Sequence, residues 1–150
     1  MSIQHSNDAN TSEIAALLHE RFSRLSRQLR HMELPSGMTP ERLSALSVIL
    51  SHGPVSVTAL AEREMVRPAT MSRMVSALVD DGLARRLEDK SDGRGVLVVV
   101  TAKGRRAHQR AHQQRMSQLI GALRRFSPDQ LAAMRDLVAA LERLTLVLDE

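Results

Sequence analysis

The hydrophobic pattern of this chain changes from a helical to a strand-like period at Gly82. Before that glycine, apolar residues recur every three to four positions, a spacing typical of amphipathic helices. After it, the segment Val96–Val100 contains only valine and leucine, and β-branched side chains favour a strand. Leu83–Leu87 is also strand-like, and the polar segment Glu88–Gly95 predicts a hairpin between the two runs. We therefore expect a mainly helical α+β fold with one small β-hairpin.

The N-terminal part predicts one long helix. Asn10, with Glu13 three residues later, is typical of a helix start, and the apolar spacing continues to about Met32. The polar residues before this start predict a short disordered tail. Pro35 and Gly37 then break the helix.

The centre of the chain predicts three further helices. Thr39 and Pro40 start the first of them, which Gly53–Pro54 ends. Two short helices follow at about Val57–Glu64 and Pro68–Asp81, separated by a tight turn. The second of these short helices has an apolar face of methionine, valine and leucine, and its opposite face is polar.

Two long helices are predicted after the hairpin. Thr101 caps the first, which runs to about Phe126, and a capping box at Ser127–Gln130 starts the last. The apolar stripe of the last helix consists of Leu131, Met134, Leu137, Val138, Leu141, Leu144 and Leu148. Because such a stripe on a terminal helix needs a partner surface, we expect a homodimer, and packing within the protomer is the alternative.

Composition excludes several classes of protein. There is no cysteine, which removes disulfides, thiolate metal sites and cysteine-based oxidant sensing. Phe22 and Phe126 are the only aromatic residues, which argues against base stacking on single-stranded nucleic acid. No apolar run approaches the roughly 20 residues that span a bilayer, and the N-terminus lacks the features of a signal peptide. We expect a cytoplasmic protein with no membrane contact.

Catalytic signatures are also missing. The sequence has no glycine-rich phosphate loop, no cysteine nucleophile and no paired carboxylates in a recognisable pocket context. Asp80-Asp81 and Glu88-Asp89 lie at helix or turn ends, where solvated acids are expected. We therefore expect neither an enzyme nor a cofactor.

A short helix, a turn, a second helix and a β-hairpin, in that order, predict a winged helix-turn-helix. Its second helix is narrow enough to enter a major groove of double-stranded DNA. The net charge is +4, and basic residues outnumber acidic ones between Arg63 and Arg115. The polar face of the second helix has no Glu or Lys, unlike an ordinary solvated face. The candidate DNA-binding residues on it are Arg67, Thr70, Ser72, Arg73 and Ser76.

The hairpin adds further candidates. Arg86 lies on the strand that leads into it, and Arg94 lies at its tip, where an arginine can enter a narrow minor groove. Asp92 can hold a neighbouring arginine. A solvated turn with an incidental ion pair is the alternative for this segment. A winged-helix module for protein interaction is the alternative for the whole chain, and its marks would be an apolar second helix or an acidic wing.

The segment from Val57 to Gly104 resembles the core of MarR-family regulators. It contains LAEREMVRPATMSRMVSALVDDGLARR, then an Asp-x-Arg pair in the wing, then VVVTAKG before the next helix. The positions that match the family pattern are Gly82, Leu83, Arg86, Asp92, Arg94, Thr101 and Gly104. Val100 stands where the family usually has leucine. The order of the flanking helices matches as well, so the resemblance covers almost the whole chain.

The resemblance implies one domain over residues 1–150. Residues of about 39–101 would form the winged helix-turn-helix core, and about 10–33 and 102–150 would form dimerisation helices. It also implies a homodimeric repressor that binds a near-palindromic operator. The DNA contacts would come from the polar face of the second helix and from Arg94 in the wing.

MarR-like regulators commonly release DNA when a small aromatic acid binds between the dimerisation and DNA-binding parts. The resemblance therefore implies an aromatic or phenolic effector here. An arginine near adaptable methionines is suited to hold a phenolic carboxylate. The candidate effector-binding residues are Arg21, Phe22, Leu25, Met38, Leu46 and Met116. The alternative is that the methionines belong to the core and that Arg21 is solvated.

His108 and His112 are the only candidates for a metal site. They are four residues apart on a helix, so both imidazoles lie on one face and are able to share a zinc ion. Further ligands would have to come from the first helix, where His19, Glu20 and His31 are available. A zinc-responsive regulator of the same fold is thus an alternative. The surrounding arginines would repel a metal, so we favour solvated histidines and predict no metal.

Overall fold

The computed structural model describes residues 2–32, 34–35, 37–89 and 95–148. The helices are α1 (Ser2–Arg30), α2 (Pro40–His52), α3 (Val57–Arg63), α4 (Pro68–Asp80), α5 (Ala102–Leu123) and α6 (Pro128–Leu148). The strands are β1 (Val55–Ser56), β2 (Ala84–Glu88) and β3 (Val96–Val100). The fold is mainly helical with a small antiparallel sheet, which confirms the predicted class.

The predicted cap residues start three of the helices. The Thr39 hydroxyl accepts from the Arg42 backbone N–H at 3.3 Å at the start of α2, and Thr101 accepts from Gly104 N–H at 3.0 Å at the start of α5. The capping box before α6 is complete: the Ser127 hydroxyl accepts from the Gln130 backbone N–H at 3.2 Å, and Oε1 of Gln130 accepts from the Ser127 backbone N–H at 2.9 Å. These bonds satisfy N–H groups that the helix itself leaves unpaired.

The first helix differs from its prediction. It begins at Ser2 rather than at residue 10, so the expectation of a disordered tail before Asn10 is wrong. A favourable cap residue marks one place where a helix can start, but it does not stop the helix from extending towards the N-terminus. No proline or glycine lies between Ser2 and Asn10, and each further residue adds a hydrogen bond at little cost.

The sheet has the strand order β1-β3-β2, with both pairs antiparallel. Val98 in the central strand faces Val55 of β1 and Arg86 of β2 in the register. The hairpin of β2 and β3 confirms the predicted one. The sequence did not predict β1, because two residues are too few to show an alternating pattern.

The core lies in the middle of the chain, between Met38 and Ala111. The largest fully buried side chains are Leu46, Ile49, Leu60, Met71, Val75, Leu78 and Val98. These residues join α2, α3 and α4 to the central strand. In contrast, α6 has no buried residue, and the described side chains of α1 are exposed or half-buried. No helix in the described part of the chain is long and apolar enough to cross a membrane.

Candidate nucleic-acid interface

The geometry of α4 leaves one of its faces to solvent. Met71, Val75 and Leu78 are at most 1% exposed, which buries the apolar face against the core. Pro68 occupies the first turn, and the preceding residue, Arg67, is extended and makes no side-chain cap. Of the five residues predicted to contact DNA from this helix, Arg67, Thr70, Ser72 and Arg73 are exposed and Ser76 is half-buried.

The exposed face of α4 has unpaired positive charge. Among residues 37–89 and 95–148, no carboxylate lies within ion-pair distance of Arg67 or Arg73. Their guanidinium groups therefore have donors available for phosphate or for the major-groove edge of guanine. The hydroxyls of Thr70 and Ser72 are small enough to allow close approach to a groove.

Two of the predicted DNA-contacting residues bond to each other. The Nη2 group of Arg86, on β2, donates to the Ser76 hydroxyl at 2.9 Å. This bond ties the hairpin to the middle of α4, so the two elements are oriented together. Asp92 and Arg94 lie outside the described residues, as does the rest of the hairpin tip from 90 to 94.

Two cations that the sequence did not single out lie at the C-terminal end of α4. Arg42, on α2, pairs with the Asp81 carboxylate and donates to the Ala77 carbonyl oxygen at 3.3 Å. Lys103, on α5, donates to the Asp81 carbonyl oxygen at 2.7 Å. Bonds to backbone groups so far away in the chain leave no periodic signal, which is why sequence patterns did not find them.

These cations line a recess of about 290 Å³ between the segment before α2, the end of α4 and α5. Arg110 adds a third positive charge, and Met38, Leu83 and Ala107 supply apolar surface. Met38 is the one predicted effector-binding residue that lies there.

The other predicted effector-binding residues lie elsewhere in the protomer. Arg21, Phe22 and Leu25 line an open apolar groove between α1 and Leu137 of α6, and Arg21 lies 3.6 Å from the Glu20 carboxylate. Met116 lines a separate surface depression on α5. Leu46 is completely buried in the core. The protomer therefore does not bring the six residues together.

The His108–His112 pair lies on α5 with stacked rings, whose centroids are 5.9 Å apart. The Nε2 atom of His108 is 2.7 Å from the Ser47 hydroxyl on α2. Because that hydroxyl donates to the Leu43 carbonyl oxygen at 2.9 Å, it accepts from His108, which places a proton on Nε2 of His108. Burial, and secondly the charge of His112, lower the pKa of His108 below its ordinary value.

The pair does not gain further metal ligands from the described part of the chain. Across these residues, no group of three or more His, Cys, Asp or Glu side chains is arranged to hold a metal ion. His19 and Glu20 on α1, and His31 just after it, do not join the two histidines. The zinc-responsive alternative therefore has no support from this geometry.

Known proteins resemble this chain in sequence. The MarR family model matches residues 38–96. An uncharacterized HTH-type transcriptional regulator of Mycobacterium bovis is 37% identical over 133 residues, which cover 87% of this chain and 93% of that protein. The HTH-type transcriptional repressor MdtR of Bacillus subtilis is 27% identical over 99 residues, which cover 66% of this chain and 64% of the repressor.

Solved structures share the fold. A MarR family protein from Bacillus stearothermophilus has a TM-score of 0.76 at 21% identity, covering 93% of this chain and 97% of that one. The PcaV transcriptional regulator from Streptomyces coelicolor was solved with its natural ligand. It has a TM-score of 0.63 at 22% identity, and the match covers 84% of this chain and 89% of PcaV. The fold is thus a winged helix-turn-helix. Together with the sequence relatives, these findings show that the chain belongs to the MarR family of helix-turn-helix transcriptional regulators.

Proposed function

We propose that this regulator is a homodimeric repressor that reads a near-palindromic site in double-stranded DNA through α4 and the hairpin. The observation that carries the proposal is the exposed face of α4. Its two arginines have no carboxylate partner among the described residues, and Thr70 and Ser72 between them are small, polar and exposed. A solvated helix face without a ligand would have mixed charges. The name of MdtR, a repressor, supports repression rather than activation.

The terminal helices support the homodimer. Leu17 on α1 is 46% exposed, and Leu137 and Val138 on α6 are 48% and 64% exposed. The α1 residues and Leu137 line one groove, so their apolar surfaces are continuous. A monomer rarely leaves such a surface in water, and a second copy supplies a matching surface by two-fold symmetry. The same symmetry would present two α4 helices to successive major grooves, about 34 Å apart.

The effector that we propose is a small aromatic carboxylic acid, and its site is the recess beside Met38. The recess is lined by three cations, Arg42, Lys103 and Arg110, and by one carboxylate, Asp81, so its lining keeps an excess of positive charge that suits a carboxylate. Its apolar residues suit an aromatic ring. The ligand in the PcaV structure supports a small-molecule site in proteins of this fold. The groove at Arg21, Phe22 and Leu25 is then part of the dimer surface rather than of the effector site.

The experiment that tests DNA recognition is selection of a duplex from a random pool, followed by fluorescence anisotropy with non-specific competitor. We expect enrichment of a near-palindrome that two chains bind. Arg73→Ala should weaken binding to it, with a smaller salt dependence if a phosphate contact is lost. Arg135→Ala on α6 is the matched control and should bind like the wild type. Failure to enrich any sequence would contradict the proposal and favour a protein-interaction module.

The effector is tested on the selected duplex. Hydroxybenzoates should release the wild-type protein from it. Arg110→Ala should keep DNA affinity but need more of the acid, because one of the recess cations is removed. Arg124→Ala, at the cap that follows α5, should respond as the wild type does. If none of these acids changes DNA binding, the effector proposal is wrong while DNA recognition stands.

A further inference from the structure

The C-terminal end of α4 is held by cations from two other helices. Arg42 approaches from α2, where its Nη2 group reaches both the Ala77 carbonyl oxygen and the Asp81 carboxylate. Lys103 approaches from α5 and binds the Asp81 carbonyl oxygen. The last carbonyl groups of a helix have partial negative charge, so both cations bind there favourably.

Arg42 makes a third connection. Its Nη1 group donates to the carbonyl oxygen of Gly37, in the segment that joins α1 to α2. One guanidinium group therefore links that segment and α2 to the end of α4. The Arg42 side chain is only 17% exposed, whereas the Asp81 side chain is 54% exposed. A planar, partly buried guanidinium with several fixed partners imposes a geometry that a single exposed charge does not.

We propose that Arg42 is a positioning residue for DNA recognition, because its bonds to Asp81 and Ala77 set the angle of α4 relative to α2. This inference rests on the proposed role of α4 in reading DNA. The helix has 13 residues and is therefore about 20 Å long. The N-terminal residues of a recognition helix are those that contact bases. A change of tilt at the C-terminal end of α4 therefore moves Arg67, Thr70 and Arg73 with respect to the groove.

Arg42 is also a positive charge, and a positive charge close enough to the DNA to escape screening by salt favours binding whatever its contacts. Asp81→Asn separates the two effects because they have opposite signs. By charge alone, removal of a carboxylate should strengthen binding to all DNA. By the positioning role, loss of the Arg42 partner should weaken binding to the selected duplex. Asp80→Asn is a closely matched control, since Asp80 is exposed and has no ion pair among the described residues.

Both variants are measured on the duplex selected by the wild-type protein and on random-sequence duplex. We expect Asp81→Asn to bind the selected duplex about tenfold more weakly, as for the loss of one charged hydrogen bond. Its affinity for random duplex should be unchanged or higher. Asp80→Asn should bind both duplexes at least as tightly as the wild type. Thermal unfolding of each variant shows whether it is folded at the temperature of the binding assay.

Arg42→Ala supplies the second readout. We expect it to weaken specific binding without changing the slope of log affinity against log salt, because Arg42 touches no phosphate. A slope reduced by about one would instead show a phosphate contact and overturn the positioning role. Arg42→Ala combined with Asp81→Asn should be no weaker than Arg42→Ala alone, since both changes remove the same interaction.

Two other outcomes would also overturn the inference. One is that Asp81→Asn and Asp80→Asn bind alike. The other is that Asp81→Asn loses affinity for selected and random duplex to the same extent. If the wild type selects a duplex and Arg73→Ala loses it, these outcomes overturn the positioning role alone. A wild type that selects no duplex contradicts the positioning role and the proposed function together.

Discussion

Gly104, in the first turn of α5, packs directly against the carbonyl group of Leu83, and a Cβ atom at position 104 would overlap that oxygen. The same Cβ would lie 2.8 Å from Cγ1 of Val100. Leu83 is held in place because its carbonyl oxygen accepts from the Thr101 backbone N–H at 3.0 Å. The start of the long helix and the start of the hairpin therefore meet backbone to backbone.

Gly104→Ala should lower the free energy of unfolding by about 2–3 kcal/mol, because the neighbouring atoms are main-chain atoms that cannot easily move. Urea unfolding of the purified protein measures the change. Gly121→Ala is the control on the same helix, because nothing lies within 4 Å of a Cβ at that position. It should be neutral or stabilising by up to about 1 kcal/mol, since alanine is the better helix former. Equal effects of the two substitutions would contradict the close packing at Gly104.

Met65 is the second position where backbone geometry predicts how a substitution changes the free energy of unfolding. It lies in the turn between α3 and α4 with φ of 51°, and its side chain is 92% exposed. A left-handed backbone is strained for residues other than glycine, and the side chain packs against almost nothing. Met65→Gly should therefore raise the free energy of unfolding by about 0.5–1 kcal/mol. Met65→Ala keeps the Cβ atom and should change stability little, so a gain in both variants would mean that strain is not the cause.

His108 predicts a pH dependence of stability. Its pKa is lowered from 6.5 by burial and by His112, so the unfolded chain binds more protons than the folded chain in the window below that value. The contribution of His108 is complete above about pH 6.5 and is lost as pH falls through the lowered pKa. Urea unfolding at about pH 7.5 and 5.5 should show this loss in the wild type. In His108→Gln the loss should be smaller, and an identical pH dependence would exclude His108 as its source.

The apolar stripe of α6 predicts the effect of a polar substitution on the dimer. Leu137→Gln should weaken self-association at least tenfold, because it places an amide in the proposed interface where no partner is available. Arg135→Gln introduces the same side chain on the opposite face of α6 and should leave association unchanged. Sedimentation across a concentration series measures both. A wild-type protein that is monomeric throughout would contradict the proposed dimer.

Local chemistry made much of the fold predictable. Thr39, Thr101 and the Ser127–Gln130 box act within three residues of themselves, so the starts of α2, α5 and α6 follow from short sequence patterns. The start of α1 at Ser2 differs from the predicted one for a related reason. A cap residue stabilises a helix start by about 1 kcal/mol. This is too little to prevent the helix from extending towards the N-terminus when the preceding residues also tolerate helical backbone.

The candidate site was predictable only in part. The exposed face of α4 follows from helical periodicity, because burial of Met71, Val75 and Leu78 leaves the opposite residues in solvent. The effector residues do not follow in the same way, since they belong to separate helices whose relative packing the local pattern does not contain. Leu46 is inside the core, and Phe22 lies on a groove with Leu137, because the packing of helices decides which side chains share a cavity.

By itself, the sequence determined the helices, the hairpin and the polar, cationic face of α4, because each depends on residues within one or two turns of one another. The tertiary structure alone decided that Arg42 meets Asp81, that Ser47 meets His108 and that Gly104 lies beneath Leu83. These contacts join residues far apart in the chain. Their distances depend on how the core brings α2, α4 and α5 together, and no local preference contains that information.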